Sequence, residues 1–180
     1  MPKILLAIVV RSSSKRLPGK WKKSTTVGHS LLDVLSAKVS SFEQMLEVES
    51  KLCVCTSNHN CDEQILHYCD RNGLNHCAGS LLNVASRLIG AMDQNNADFL
   101  LRFTGDNPYI SFRQVAQLAS LIDGSTSLDY ATFNWEPIGL GLELFSRDFL
   151  ERISYSSNSL NSEYLTYFAV ENQKKITVKL

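Results

Sequence analysis

Ile4-Leu5-Leu6-Ala7-Ile8-Val9-Val10 is an unbroken apolar run. A strand with one wet face alternates apolar and polar residues; a run without alternation is covered on both faces, which places it inside a sheet flanked by helices. Directly behind it the chain changes character, to Arg11-Ser12-Ser13-Ser14-Lys15-Arg16-Leu17-Pro18-Gly19-Lys20. Small residues let backbone N–H groups approach an anion, and Arg11, Arg16 and Lys20 add charge and fork geometry suited to phosphate. A basic loop at the carboxyl end of the first strand is where open α/β sheets bind ligands. Together these residues point to a nucleotide or another polyphosphate.

The rest of the chain alternates strand-like and helix-like segments. Val34 to Val39 follows a helix start at His29-Ser30, and Leu52 to Cys55 is a short strand ending at Thr56-Ser57-Asn58. Asp62 to Asn72 reads as a helix stopped by Asn72-Gly73, with Ile65, Leu66 and Cys69 at helical spacing. A third strand is expected near Asn75 to Ala78, and a helix over Leu82 to Gln94 carries Val84, Leu88 and Met92 as one stripe. Asp98 to Thr104 is a fourth strand that ends in the turn Gly105-Asp106-Asn107-Pro108. Ser111 and Gln114 form a capping box before a helix over Val115 to Ile122. Strands follow at Asp129 to Phe133 and Leu142 to Phe145; Ser146 caps a helix from Arg147 to Ile153, and Ile176 to Leu180 is strand-like. Strands separated by helices imply parallel pairing. The expected fold is a three-layer α/β/α sandwich with a mostly parallel sheet, in a single domain over residues 1–180.

Eighteen basic residues balance eighteen acidic ones, which excludes a DNA-coating protein and a polybasic membrane binder. The charge is local instead: Lys15, Arg16, Lys20, Lys22 and Lys23 crowd together. Met1-Pro2-Lys3 leads into a strand with no cleavage pattern, and no apolar run approaches the roughly 20 residues of a membrane span. A cytoplasmic location is the expectation, with five cysteines held as thiols. All five lie between Cys53 and Cys77 without the paired spacing of a zinc site, so they read as small buried residues.

Two common phosphate loops are absent. No G-x-G-x-x-G follows the first strand, and Gly19-Lys20 is followed by Trp21 rather than Ser or Thr, so no P-loop is present. The pattern R-x-x-S-x-R-L-P-G-K resembles instead the cytidylyltransferases that activate acidic sugars, such as the acylneuraminate and 3-deoxy-manno-octulosonate enzymes. The nearest subgroup is the spore-coat polysaccharide biosynthesis nucleotidyltransferases. Further segments are similar in order and spacing. They are Thr56-Ser57-Asn58 through Asp62; Gly79-Ser80 through Asn83-Val84 and Arg87; Arg102-x-Thr104-Gly105-Asp106-x-Pro108; and Gly139-Leu140 through Glu143-Leu144-Phe145-Ser146. The sequence departs from the family pattern at Ser13, where glycine is common, and at Gly141, where the pattern has aspartate. It also departs at Glu163 to Phe168, where a histidine and a proline are replaced. The resemblance further implies a D-T-x-x-D-type segment with a second metal carboxylate, which residues 1–180 do not contain.

The resemblance implies the nucleotide-diphospho-sugar transferase fold and transfer of CMP from CTP to a sugar acid or similar small acceptor, with Mg²⁺ as cofactor. Arg11, Lys20 and Asp106 are the implied catalytic residues, with Asp106 the metal ligand. Val9, Val10, Arg11, Ser14, Arg16, Lys20, Ser80, Asn83, Arg87 and Thr104 are implied around the nucleotide. Arg102, Asn134 and Glu143 are implied near the acceptor. Nucleic acid and membrane are not expected partners; a homodimer is a possible assembly. A catalytically weak nucleotide-binding paralogue, acting as an interaction or regulatory subunit, is the alternative left open. A glycosyltransferase of related fold would need a D-x-D pair, which Asp62, Asp70, Asp98 and Asp106 do not form.

Overall fold

The computed structural model describes residues 2–13, 17–122, 128–133, 141–155, 165 and 168, and the backbone of 178–179. A seven-stranded sheet runs through it in the order β3-β2-β1-β4-β6-β5-β7. The strands are β1 (Ile4–Val9), β2 (Ser50–Ser57), β3 (His76–Gly79), β4 (Phe99–Thr104), β5 (Tyr130–Thr132), β6 (Glu143–Ser146) and β7 (Val178–Lys179). The apolar run beginning at Ile4 pairs in parallel with β2 on one side and β4 on the other. Its burial on both faces follows from that position. β6 runs antiparallel to both β4 and β5. The sheet is therefore mostly parallel, with one reversed strand.

Among the described residues five α-helices cover the two faces: α1 (Leu31–Met45), α2 (Glu63–Arg71), α3 (Val84–Asn95), α4 (Phe112–Ala119) and α5 (Arg147–Tyr155). Ile4, Leu6 and Ile8 of β1 pack with Leu35 of α1, Ile65 of α2 and Val115 of α4. Leu5 and Ala7, on the opposite face, pack with Leu88 of α3 and Phe149 of α5. This is the expected three-layer sandwich.

Local chemistry sets the element ends. Ser30 and Asp33 close a reciprocal capping box on α1, and Leu32, Leu35, Val39 and Phe42 bury its inner face. The helix consequently runs well beyond the Val34 to Val39 core read from sequence. Ser111 and Gln114 close the expected box on α4, which starts at Phe112 immediately after its cap. Ser146 Oγ accepts from the Phe149 N–H at 3.2 Å, as a cap should. No helix among the described residues is long and apolar enough to cross a membrane.

Candidate active site

The parallel strands β1, β2, β3 and β4 end together, and the loops leaving those ends gather the site. After β1 the chain passes through Arg11 and Ser12 and returns through Gly19, whose left-handed φ of 63° suits glycine. The Gly19 N–H closes this loop onto the Ser12 carbonyl at 3.0 Å. A 3-10 turn over Lys20–Lys22 then sinks the Trp21 ring into the core beside Tyr68, edge-on at 5.8 Å. Trp21 Nε1–H donates to Ser12 Oγ at 3.1 Å, so the basic loop is anchored at both ends.

Across the site, β4 ends in a turn that presents Asp106. Gly105 N–H donates to the Val9 carbonyl at 2.8 Å, drawing the turn against β1. A Cβ on Gly105 would lie 2.9 Å from that carbonyl oxygen and 2.9 Å from Val10 Cβ, so only glycine fits. Lys20 Nζ meets Asp106 Oδ2 at 2.5 Å, joining the loop that leaves β1 to the turn that ends β4. Partial burial works against the Asp106 charge, but Lys20, Thr104 and the local backbone outweigh it and hold the carboxyl below its usual range.

Beneath the loops lies a buried carboxylate, Asp62, which the sequence places at a helix start and at the end of a family-like segment but to which it assigns no role in the site. Asp62 is fully buried. It accepts from the Ser12 N–H at 2.6 Å and the Ser57 N–H at 3.3 Å, and from the Ser57 hydroxyl. The sequence signal was a carboxylate five residues past a strand end, too common a pattern to single out. Trp21 was also passed over; an aromatic residue amid lysines signals a loop pinned to the core.

The loop after β3 is ordered by its own polar groups. Asn83 caps α3 by accepting from the Ser86 N–H at 2.9 Å, and Ser80 Oγ accepts from the Asn83 N–H at 3.0 Å. Arg87 is only 3% exposed; its Nη1 donates to the Ser80 carbonyl at 3.0 Å, while its Nε has no partner. Burial lowers the Arg87 pKa, opposed by the nearby charges of Asp62 and the thiols of Cys55 and Cys77 and reinforced by Arg11. A Cβ on Gly79 would come within 3.0 to 3.1 Å of Arg87 atoms, so this strand end lies flush against α3.

Of the residues implied near nucleotide and acceptor, the structure brings Lys20, Asp106 and Thr104 together. It places Arg11 at the end of β1, its charge felt by Arg87. The Val9 carbonyl and the Val10 N–H are already bonded, to Gly105 and Cys55 respectively. Arg102 and Glu143 are partners across β4 and β6, 2.6 Å apart, and the Tyr130 hydroxyl donates to Glu143 at 2.9 Å. Ser14, Arg16 and Asn134 lie outside the described residues. For Mg²⁺ the available donor is the half-buried Asp106 carboxylate, since Asp62 is taken up by Ser12 and Ser57. No cluster of three metal-binding side chains occurs among the described residues. One carboxylate fits a cation that takes its remaining ligands from phosphate and water.

This architecture, with its strand-end loops, is that of a nucleotidyltransferase. The structure overlays on a cytidylyltransferase from Leptospira borgpetersenii with a TM-score of 0.83 at 22% identity, covering 99% of this chain and 75% of that one. It overlays on a CMP:2-keto-3-deoxy-manno-octonic acid synthetase, solved with CTP, with a TM-score of 0.68 at 17% identity, covering 99% and 88%. The cytidylyltransferase family profile matches residues 6–176, and the chain belongs to that family. The Bacillus subtilis spore coat polysaccharide biosynthesis protein SpsF is 28% identical over 156 residues. That match spans 86% of this chain and 63% of SpsF, so the chain corresponds to less than two thirds of that relative.

Proposed function

We propose that the chain transfers CMP from CTP to a sugar acid or similar small acceptor, releasing pyrophosphate, in the synthesis of a surface polysaccharide or glycoconjugate. The observation that carries this reading is the meeting of Lys20 and Asp106, 86 residues apart in sequence, at the shared end of β1 and β4. Family membership and the likeness to SpsF support the same reading.

The reaction forms a bond from an acceptor oxygen to the α-phosphorus and breaks the bond to the pyrophosphate oxygen. Its barrier is one of positioning and charge, so no protein nucleophile is needed. Lys20 leaves Asp106 for the triphosphate and, with Arg11 and Arg16, offsets charge gathering on the departing pyrophosphate. The Asp106 carboxylate so freed would hold Mg²⁺, and the ion would neutralise charge on the phosphate oxygens. Thr104, beside Asp106, favours the charged carboxylate. We assign base reading to the Ser80 to Asn83 loop, which its own hydrogen bond and Arg87 hold in shape.

Thermal melts with CTP, UTP, ATP and GTP, each with and without Mg²⁺, test this directly. CTP at 100 times its dissociation constant adds about 2.7 kcal/mol. For a chain of this length that raises the melting temperature by roughly 5–10 °C. A CTP-selective, Mg²⁺-dependent shift and pyrophosphate release with an acidic sugar are expected. No shift with any nucleotide refutes the proposal.

A further inference from the structure

A fully buried carboxylate beneath a phosphate loop is electrostatically unwelcome. It repels the ligand's charge and loses its own hydration. Asp62 stands there nonetheless, and besides a long contact from the neighbouring Cys61 thiol at 3.8 Å its hydrogen bonds show what it holds. One oxygen accepts from the Ser12 N–H, in the loop leaving β1; the other accepts from the N–H and hydroxyl of Ser57, at the end of β2. Ser12 in turn receives Trp21 Nε1–H on its hydroxyl and the Gly19 N–H on its carbonyl. Asp62 therefore ties the first turn of the basic loop to the rigid sheet, and Ser12 passes that constraint to the segment carrying Lys20.

We infer that Asp62 is a positioning residue for nucleotide binding, setting the basic loop in the form that receives the β- and γ-phosphates. This deepens the proposed function and rests on that reading of the site. Asp62 touches no ligand in this role and acts through Ser12.

Geometry and charge make opposite predictions for Asp62→Asn. An asparagine has one acceptor oxygen. If that oxygen keeps the Ser12 N–H, the amide nitrogen faces the Ser57 N–H; if it turns to Ser57, the amide nitrogen faces the Ser12 N–H. Either way one backbone N–H of the tie loses its acceptor, and on the Ser57 side only a bond from the amide nitrogen to the hydroxyl can remain. A carboxylate acting only as a buried negative charge would, once neutralised, let polyphosphates bind more tightly.

The experiment measures CTP, pyrophosphate and CMP binding by calorimetry on wild type, Asp62→Asn and Ser57→Ala, with hydrogen exchange of the Ser12 amide. In Asp62→Asn, CTP and pyrophosphate should weaken about tenfold, the scale of one lost hydrogen bond to a charged group. CMP should weaken less, and the Ser12 amide should lose protection. Tighter or unchanged pyrophosphate binding in this variant overturns the inference, as does an equal loss for CMP and CTP. Should Asp62→Asn fail to fold, Ser57→Ala decides, because it removes one donor and keeps the charge. Weaker CTP binding supports the tie and unchanged binding overturns it. A wild-type chain that ignores nucleotides refutes the proposed function instead, and the Ser12 exchange rate then still reports whether Asp62 holds the loop. A Ser12 amide that exchanges equally fast with and without the Asp62 carboxylate overturns the inference.

Discussion

Replacing Glu143 by alanine separates two roles that one buried carboxylate could have. Family resemblance puts Glu143 near the acceptor; the structure gives it full internal employment. Its side chain is 7% exposed and its partner Arg102 13%, and they lie 2.6 Å apart on paired strands. Tyr130 adds a hydrogen bond at 2.9 Å. Arg102 Nε already lacks a partner, so the guanidinium has little spare compensation. Breaking a buried pair from one side costs about 3–5 kcal/mol. An orphaned buried hydroxyl costs roughly 1–3 kcal/mol more. Arg102 retains some access to water, so the lower end applies, about 4 kcal/mol in all. That is a large share of the roughly 5–15 kcal/mol that keeps a domain folded. It corresponds to a fall in melting temperature of about 8–16 °C.

Urea denaturation of Glu143→Ala, Arg102→Met and the double variant measures this as a cycle. Strong coupling is expected, with the double variant more stable than Glu143→Ala because no charge is left stranded. A Glu143→Ala variant within about 1 kcal/mol of wild type, a change typical of unremarkable sites, would refute the structural role. If that variant also lost acceptor turnover, the carboxylate would belong to the acceptor.

Asp106 titrates below its ordinary value of 3.8 in the folded chain, so its contribution to stability is full above that value and disappears as pH falls through the folded one. Asp106→Asn should therefore flatten the acid limb of urea midpoints measured from pH 6 to pH 3; an unchanged limb would show that Lys20 does not hold the carboxylate. Gly105→Ala forces a Cβ to 2.9 Å from the Val9 carbonyl oxygen and should cost about 1–3 kcal/mol by overpacking. Wild-type melting for that variant would mean that the turn does not press on β1. Iodoacetamide at pH 8 should label only Cys61 in the folded protein, because Cys53, Cys55, Cys69 and Cys77 are buried and burial pushes Cys69 up to about 12. Mass spectrometry finding two or more labels before unfolding would contradict that packing.

Most of the fold was legible because apolar runs and caps are local. The Ile4 run, the Ser111–Gln114 box and the Ser146 cap each declare an element within a few residues. The extent of α1 was harder to read, since Ser40 and Ser41 interrupt the apolar count while Val39 and Phe42 still share a buried face. Strand direction carries no periodic signal, so nothing in Leu142 to Phe145 announced that β6 would enter the sheet antiparallel between β4 and β5. The basic loop and the Gly105 turn could be located as strand ends. The Lys20–Asp106 and Ser12–Asp62 contacts could not, because they join residues 86 and 50 positions apart through the fold.

The buried cysteines make sense against the same geometry. On the face covered by α3, successive inward positions are Leu5, Ala7 and Val9 on β1, Cys53, Cys55 and Ser57 on β2, and Cys77 and Gly79 on β3. On β2 and β3 the side chains shrink toward the end where the site lies, and Arg87 of α3 descends onto that end, within electrostatic reach of Cys55 and Cys77. Small, weakly polar thiols leave room for a guanidinium stem that valine or leucine would crowd. A row of cysteines in a parallel sheet then needs no metal and no disulfide to explain it. Its size lets a cation sit beneath the loop after β3 and hold the Ser80 carbonyl, and a bulkier residue at position 77 or 79 would be felt first in that loop rather than in the core.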